Sequence, residues 1–441
     1  MAFLDWTVVP IQASAYCGQL AYDGTYIWFV SHTSTGNATR LYRMRLSDKA
    51  LIKPDGTVGD AGNAYVALTS TVAKTYSLVT NGTVLMVGTH EWIQIFDCAS
   101  MTNTGHVGTT SNTIGYGCTV AAWDGTHFWF TSMFPSDVVH KITPAGSASQ
   151  VISGIGRNIG VRIANGHAWV FGSTTYQTTV MARKFALDGT LLLTVPTNLP
   201  TIPAGNINMA YDSDRGEFVC TGTSLEFTKF RESDGAFIDF QGNVVATAGA
   251  AQLNSTLQPT KSLVTGTYGA YIIGNIMYVG GDGSNVGSYS LQRRNTNTGE
   301  PAGLWYKSLP HGVMDMIQVG NTLFLSLGGE QYWALSGIAW SDMSDQLPAP
   351  NLTAVTPGAG PHLSLTFDAQ VGITGPTIGA ASSGLGVTGV TAISTTQIDL
   401  ACAIRPDHPD GSADNSTLVP PVGEADNLGP PVPTGVGATV L

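Results

Sequence analysis

The sequence predicts an all-β protein whose main body is a β-propeller. A turn phrase recurs along the chain, as "AYDGTYIWF" at 21–29 and "AWDGTHFWF" at 122–130. Its copies stand 41 to 62 residues apart, about the length of one four-stranded blade. No stretch of ten or more residues combines a helical apolar period with helix-capping residues. We therefore expect a closed ring of blades over residues 1–345, with seven blades favoured and six or eight left open.

Each copy of the phrase predicts a tight turn between the two inner strands of one blade. Asp or Asn followed by Gly suits a type I′ hairpin turn, in which both central residues take positive φ. One copy has a longer turn, and the last two carry the inverted dipeptide. The seven predicted turns are Asp23-Gly24, Asn81-Gly82, Asp124-Gly125, Asn165-Gly166, the segment around Asp212, Gly274-Asn275 and Gly320-Asn321.

The outer strands and the closure of the ring follow from the same pattern. Second turns at Asp188-Gly189 and Asp234-Gly235 give two of the units a third and a fourth strand. A ring of blades avoids long exposed edges when both of its ends lie in one blade. The segment "DWTVVPI" at 5–11 is therefore expected to complete the last blade beside "YWALSGIAW" at 332–340.

A second module is predicted over residues 346–405, after a linker that contains Pro348 and Pro350. The segment "PNLTAVTPGAGPHLSLTFDA" resembles the first hairpin of fibronectin-type and bacterial Ig-like modules, and the alternating segments "GLGVTGV" and "TQIDLACAI" follow it. The resemblance implies a small Ig-like β-sandwich.

Residues 406–441 are predicted to form an extended, acidic tail. They contain seven prolines, which cannot donate to a regular strand ladder and which favour a polyproline-like chain. We expect this tail to lie over an adjacent subunit or over the Ig-like module, with its acids facing a basic partner surface. The expected apolar anchors and acidic contacts are Val419, Val422, Leu428, Val432, Asp414, Glu424 and Asp426.

Composition excludes several classes of protein. Only 11% of the residues are charged, the net charge is −11, and no run of Lys and Arg occurs, so nucleic-acid binding is not expected. The five cysteines are widely spaced without a C-x-x-C motif, which argues against a disulfide framework or a zinc site. The N-terminal segment lacks the pattern of a signal peptide, and no apolar run has the ~18 residues of a membrane helix.

No strong catalytic motif is present, but two weaker groups of residues invite a functional interpretation. His127 and His167 follow turns in neighbouring blades and could bind a ligand or act as the acid and base of a lyase. Asp212, Asp214 and Glu217 could supply oxygen ligands to calcium. In both cases we favour ordinary polar residues at solvated turns, and we expect no catalytic residue, no cofactor and no metal.

Aromatic residues recur at one position of the predicted blades. Trp28, Trp129 and Trp169 each lie in the second strand of an inner hairpin. Such a series could stack on sugar rings, as in lectins. Repetition at one register favours packing between blades instead.

The blades followed by an Ig-like module resemble bacteriophage virion and tail structural proteins. This resemblance implies a structural or adhesive component of the tail or capsid, made in the host cytoplasm and carried in the virion. Its expected partners are other virion proteins, within an oligomer or large assembly, and host surface glycans. A carbohydrate-binding propeller at a cell surface is the first alternative, and a propeller lyase or hydrolase is the second.

Overall fold

Every element described in the computed structural model is a β-strand. The chain divides into two units, residues 3–341 and residues 342–441 together with 1–2. The structure describes residues 6–12, 15–33, 39–68, 75–89, 92–108, 120–131, 138–154, 157–173, 180–196, 208–221, 227–239, 242–245, 267–281, 289–297, 301–309, 312–328, 336–343, 352–357, 362–367, 377–378, 385–393, 397–404 and 436–437.

The first unit is a seven-bladed β-propeller made of antiparallel sheets. This confirms the predicted all-β propeller and the favoured number of blades. Blade 1 contains β2 (Ala15–Cys17), β3 (Ala21–Tyr22), β4 (Tyr26–Thr33), β5 (Arg40–Arg45) and β6 (Tyr65–Ala67), and blade 2 contains β7 (Thr75–Thr80), β8 (Val84–Thr89), β9 (Ile93–Asp97) and β10 (Thr102–Val107). Blade 3 contains β11 (Ala122–Trp123), β12 (Phe128–Thr131), β13 (Val139–Ile142) and β14 (Ala148–Ile152), and blade 4 contains β15 (Arg157–Ala164), β16 (His167–Ser173), β17 (Val180–Phe185) and β18 (Leu191–Pro196).

The remaining blades follow the same order, and in each blade the first hairpin contains one of the predicted turns. Blade 5 contains β19 (Asn208–Asp212), β20 (Glu217–Thr221) and β21 (Phe227–Arg231). Blade 6 contains β22 (Thr267–Ile273), β23 (Ile276–Gly281), β24 (Tyr289–Asn295) and β25 (Pro301–Leu309), and blade 7 contains β26 (Val313–Val319), β27 (Thr322–Leu327), β28 (Ser336–Asp342) and β1 (Thr7–Gln12).

The ring is closed by the first strand of the chain. β1 pairs antiparallel with β28, and Thr7 lies opposite Trp340 while Val9 lies opposite Ile338. The predicted closure is confirmed: the N-terminal strand is the outermost strand of blade 7. At the centre, the first strands of neighbouring blades contact one another, as in the parallel bridge between Val120 and Gly160. We refer to the axis that these strands surround as the central channel.

The hydrophobic core lies between blades. The cluster around Trp28 contains Leu78, Val87 and Phe96 from blade 2. The cluster around Trp129 extends in the same way into blade 4, and that around Trp169 extends into blade 5. All three indole rings are fully buried. The predicted packing of these tryptophans between blades is therefore confirmed.

The type of the predicted turns requires a correction. Gly24, Gly82 and Gly125 have positive φ, but the Asp or Asn before each of them does not. In blade 1 the N–H of Asp23 donates to the carbonyl of Tyr26, so Gly24 and Thr25 are the central residues. Positive φ at the first central residue alone is the pattern of a type II′ turn.

Only the turn of blade 4 has the predicted type I′ pattern. Asn165 has φ 46° and Gly166 has φ 71°. Ala164 pairs directly with His167, so the loop between them holds these two residues alone. In blade 4 the turn residue Asn165 is thus itself a central residue, whereas in blade 1 Asp23 precedes the central pair.

The second unit contains a four-stranded antiparallel sheet in the order β29, β30, β33, β32, and a separate pair, β31 with β34. The predicted first hairpin is present, because β29 pairs with β30. A complete Ig-like sandwich stays a prediction. The seven tail residues named as anchors and acidic contacts lie outside the described residues. The bounds are β29 (Leu352–Pro357), β30 (His362–Phe367), β31 (Thr377–Ile378), β32 (Leu385–Ile393), β33 (Gln397–Ile404) and β34 (Val436–Gly437).

Candidate functional site

A cavity lies at one mouth of the central channel. Its volume is about 260 Å³, and it is lined by residues 19–22 of blade 1, 78–80 of blade 2, 121–123 of blade 3 and 162–163 of blade 4. These segments are the ends of the first strands, just before the hairpin turns. The cavity, called the channel-mouth cavity below, therefore opens on the face of the ring that carries those turns.

The floor of the channel-mouth cavity is fixed by the side chain of Gln19. Its amide nitrogen donates to the carbonyl of Ala121 at 3.0 Å, and its amide oxygen accepts the N–H groups of Ala121 at 3.0 Å and Leu78 at 3.2 Å. Gln19 is buried, and one side chain thus joins the first strands of blades 1, 2 and 3. Because both of its polar groups are engaged, Gln19 acts as a structural clamp.

Two further contacts hold the first strands together. The buried carboxylate of Asp315 in blade 7 accepts the N–H of Leu20 at 2.7 Å. Gly160 lies so close to blade 3 that an added Cβ would be 2.9 Å from the Cβ of Val120. Any larger residue at position 160 would push these strands apart.

Charged and aromatic groups surround the axis near the channel-mouth cavity. Burial raises the pKa of Tyr271 in blade 6, and the charge of Asp315 acts in the same direction. A backbone hydrogen bond at Gln318 and the charge of Arg162 act to lower this pKa. Arg162 and Asp315 are thus both near enough to act on the same phenol. Trp123 and Tyr22 line the rim and are half-buried. The hydroxyl of Tyr22 donates to the carbonyl of Gly24 at 2.7 Å, which fixes its ring.

The two candidate histidines have separate surroundings. His127 Nδ1 lies 2.9 Å from the hydroxyl of Thr126 within its own turn. His167 Nδ1 lies 4.0 Å from Glu232 Oε1 of the next blade, which is too long for a hydrogen bond. The structure gives no contact between the two histidines among the residues that it describes.

Glu232 is the centre of a buried polar cluster between blades 4 and 5. Its carboxylate lies 2.8 Å from Lys184 Nζ and accepts hydrogen bonds from the indole of Trp169 at 3.3 Å and from Asn165 at 3.3 Å. Burial acts to raise the pKa of Glu232, but the hydrogen bonds from Lys184, Asn165 and Trp169 outweigh it and lower the pKa. The carboxylate is therefore ionised and already committed to its partners.

Two of the three candidate calcium ligands belong to separate ion pairs. Asp212 Oδ2 lies 2.5 Å from Arg215 Nη1, while Glu217 Oε2 lies 3.0 Å from Lys229 Nζ. Asp212 is only 5% exposed, so the expectation of a fully solvated hairpin tip is wrong for this residue. Its second oxygen accepts the N–H groups of Asp214 and Arg215, because an aspartate can cap its own turn. In the described part of the chain, no three His, Cys, Asp or Glu residues are grouped to hold a metal ion.

A repeated cation contact joins the blades, which the sequence did not reveal. Lys141, Lys184 and Lys229 lie on third strands and donate to carbonyls of the next blade at 2.8, 3.3 and 3.1 Å. Arg43 in blade 1 likewise donates to two carbonyls of blade 2, at 3.0 and 2.9 Å. Each acceptor follows the third strand of the neighbouring blade; they are Cys98, Ala99, Leu187, Glu232 and Thr296.

Three of these cations also face the buried tryptophans. Arg43, Lys141 and Lys184 lie opposite Trp28, Trp129 and Trp169 in the strand register. Their charged groups are 5.2 to 5.8 Å from the indole rings. Cations at this distance from the face of an indole ring are attracted to it. The tryptophans are therefore used inside the ring and are not exposed for stacking on sugars.

Neither a scan against protein-family models nor a search of curated proteins finds a match for this chain. Within the described residues, no helix is long and apolar enough to cross a membrane.

Proposed function

We propose that this protein is a non-catalytic structural or adhesive component of a large assembly, and that a bacteriophage virion is the assembly that best fits the chain. It would act through contacts with other virion proteins, with attachment to host surface glycans as a second role. On this proposal it is made in the host cytoplasm and carried in the tail or on the capsid.

The observation that carries the proposal is how the buried polar groups of the propeller are used. The buried Lys184 and Lys229 and the half-buried Lys141 bind carbonyls of the next blade, and the buried Glu232 binds three side chains around it. Buried charges committed in this way stabilise a rigid ring and are poorly suited to proton transfer. A rigid ring with few surface charges suits a repeated part of a particle. The predicted Ig-like module and acidic tail supply further contact surfaces.

Mass spectrometry of purified particles tests the proposal directly. The protein should co-purify with particles through a density gradient at a constant ratio to the other particle proteins. Its absence from particles, with the protein found free in the lysate, would overturn the proposal. The expected catalytic inactivity would be overturned by any defined turnover that Glu232→Gln abolishes without unfolding the chain.

The role of the tail is tested by deletion and by charge removal. Deleting residues 412–441 should leave the melting temperature of the propeller nearly unchanged while lowering incorporation into particles. Neutralising Asp414, Glu424 and Asp426 together should weaken incorporation through loss of a basic partner contact. The matched control neutralises three exposed acids of the propeller and should incorporate normally; these are Asp48, Asp55 and Asp188.

A further inference from the structure

We propose that the channel-mouth cavity binds one pyranose sugar residue that carries a carboxylate. The inference deepens the adhesive part of the proposed function, because it names the class of surface glycan that the propeller would recognise. It rests on the size of the cavity, the two aromatic rings at its rim and the charge of Arg162.

The size of the cavity selects a small ligand. Pockets for drug-sized molecules have volumes of roughly 300–1,000 Å³. The channel-mouth cavity has about 260 Å³ and is open at the mouth. It therefore suits a single ring that is held at the end of a longer chain, with the rest of the glycan outside.

The rim offers aromatic surface to such a ring. Trp123 packs against Phe128 with ring centroids 4.4 Å apart, and Tyr22 is held by its hydroxyl hydrogen bond to Gly24. Both rings are fixed, so they lose little conformational freedom when a ligand binds. The C–H face of a pyranose is apolar and can pack on a half-buried aromatic ring, while its hydroxyls stay in contact with water.

The polar side chains of the lining favour an acid over a neutral sugar. Both polar groups of the Gln19 amide are engaged with Ala121 and Leu78. The hydroxyl of Thr80 donates to the carbonyl of Val84 and accepts the N–H of Gly82. These two side chains are therefore poorly placed to read the hydroxyls of a neutral sugar.

Arg162 is the one Lys, Arg, Asp or Glu residue of the lining, among the residues that the structure describes. Its guanidinium group carries five N–H donors. Guanidinium groups bind carboxylates through two parallel hydrogen bonds, which gives both affinity and orientation.

Saturation-transfer NMR and calorimetry with three probes test the proposal on the full chain. The probes are methyl β-D-glucuronide, methyl β-D-glucoside and acetate. The glucuronide should bind, and the other two should bind at least about tenfold more weakly, since each lacks one of the two recognised features. Equal binding of the glucoside would overturn the requirement for the carboxylate. Equal binding of acetate would overturn the requirement for the ring. Failure of the glucuronide to bind would overturn the whole inference.

Substitutions place the binding in the cavity. Arg162→Gln should weaken glucuronide binding by about tenfold or more, and Arg162→Lys should weaken it less because the charge remains. Trp123→Leu should remove the saturation transfer to the ring protons. The control Arg45→Gln makes the same charge change at a residue outside the cavity lining that pairs with Asp48, and it should leave binding unchanged. Unchanged affinity in both Arg162 variants, with unchanged melting temperatures, would contradict the site.

The outcome of the sugar-binding experiments can be told apart from the outcome of the particle experiment. Sugar binding by a protein that is absent from particles would support the cavity and overturn the virion role. Incorporation into particles without sugar binding would support the virion role and overturn the sugar site in the cavity.

Discussion

Asp124 holds Trp129 with one carboxylate oxygen and its own turn with the other. The indole N–H of Trp129 donates to Oδ2 at 2.7 Å, while Oδ1 accepts the N–H groups of Thr126 at 2.7 Å and His127 at 2.6 Å. Asp23 and Trp28 repeat the arrangement in blade 1 at 2.7 Å. The repeated phrase thus combines a capped turn with an anchored tryptophan that packs on the next blade.

Asp124→Asn should lower the free energy of unfolding by about 1–3 kcal/mol. When the oxygen of the new amide caps the turn, its nitrogen faces the buried indole N–H of Trp129. Both groups are donors, so the indole N–H loses its acceptor. The control is Asn81→Asp in blade 2, where the fifth residue after the turn residue is Met86 and no indole needs an acceptor. Urea denaturation should show a small effect for Asn81→Asp. Equal losses in the two variants would show that the carboxylate acts on the turn alone.

Gly125→Val should lower the free energy of unfolding by about 1–2 kcal/mol through left-handed backbone strain. Gly125 has φ 98°, and an added Cβ would meet no atom within 4 Å, so steric overlap does not contribute. Gly105 is the matched control, because its Cβ would also meet nothing and its φ is not positive. Thermal melting of Gly105→Val should show a smaller loss, and an equal loss would contradict the assignment to backbone strain.

Lys229→Met should cost on the order of 3 kcal/mol, because removal of one partner of a buried ion pair leaves the other charge uncompensated. Lys229 is 3% exposed and Glu217 12% exposed at the side chain, and their charged atoms are 3.0 Å apart. The double variant Lys229→Met with Glu217→Gln should recover part of the loss. A double-mutant cycle from urea denaturation measures the coupling, and strict additivity would show that the pair contributes nothing.

Glu232 should make the stability of the propeller depend on pH. Its pKa is lowered in the folded protein, so its contribution is complete above the pKa of the unfolded chain and is lost as the pH falls through the folded value. Wild type should therefore exceed Glu232→Gln in unfolding free energy at pH 7. The difference should shrink below a pH of about 4. Denaturation midpoints at pH 7, 5, 4 and 3 check this, and a constant difference would contradict it.

The seven turns favoured seven blades, because each blade needs one short hairpin at its centre, but their uneven spacing of 41 to 62 residues left six or eight blades open. The closure by residues 5–11 was also predictable, since a ring of blades avoids long exposed edges when both of its ends lie in one blade. The turn type was not. A type I′ assignment considers backbone preference alone, whereas the side chains of Asp23 and Asp124 accept the turn N–H groups and allow the Gly-Thr pair to be central.

The contacts between blades were less accessible from sequence. Lys141 binds Leu187 and Lys229 binds Thr296, and partners 46 and 67 residues apart leave no local pattern. A lysine opposite a tryptophan in paired strands was the one available signal, as with Lys141 and Trp129. The channel-mouth cavity was likewise not predictable from the sequence, because it is assembled from four separate first strands.

Closure through β1 also sets the order of events during synthesis. Thr7 pairs with Trp340, so β1 leaves the ribosome long before its partner strand β28 and waits for it. At about 5–20 residues per second this delay lasts on the order of tens of seconds. Until then β1 is an unpaired strand, and such strands pair readily with other chains. When many chains are made close together, the N-terminal strand of one can complete blade 7 of another, and the product is a domain-swapped oligomer in which every blade is native.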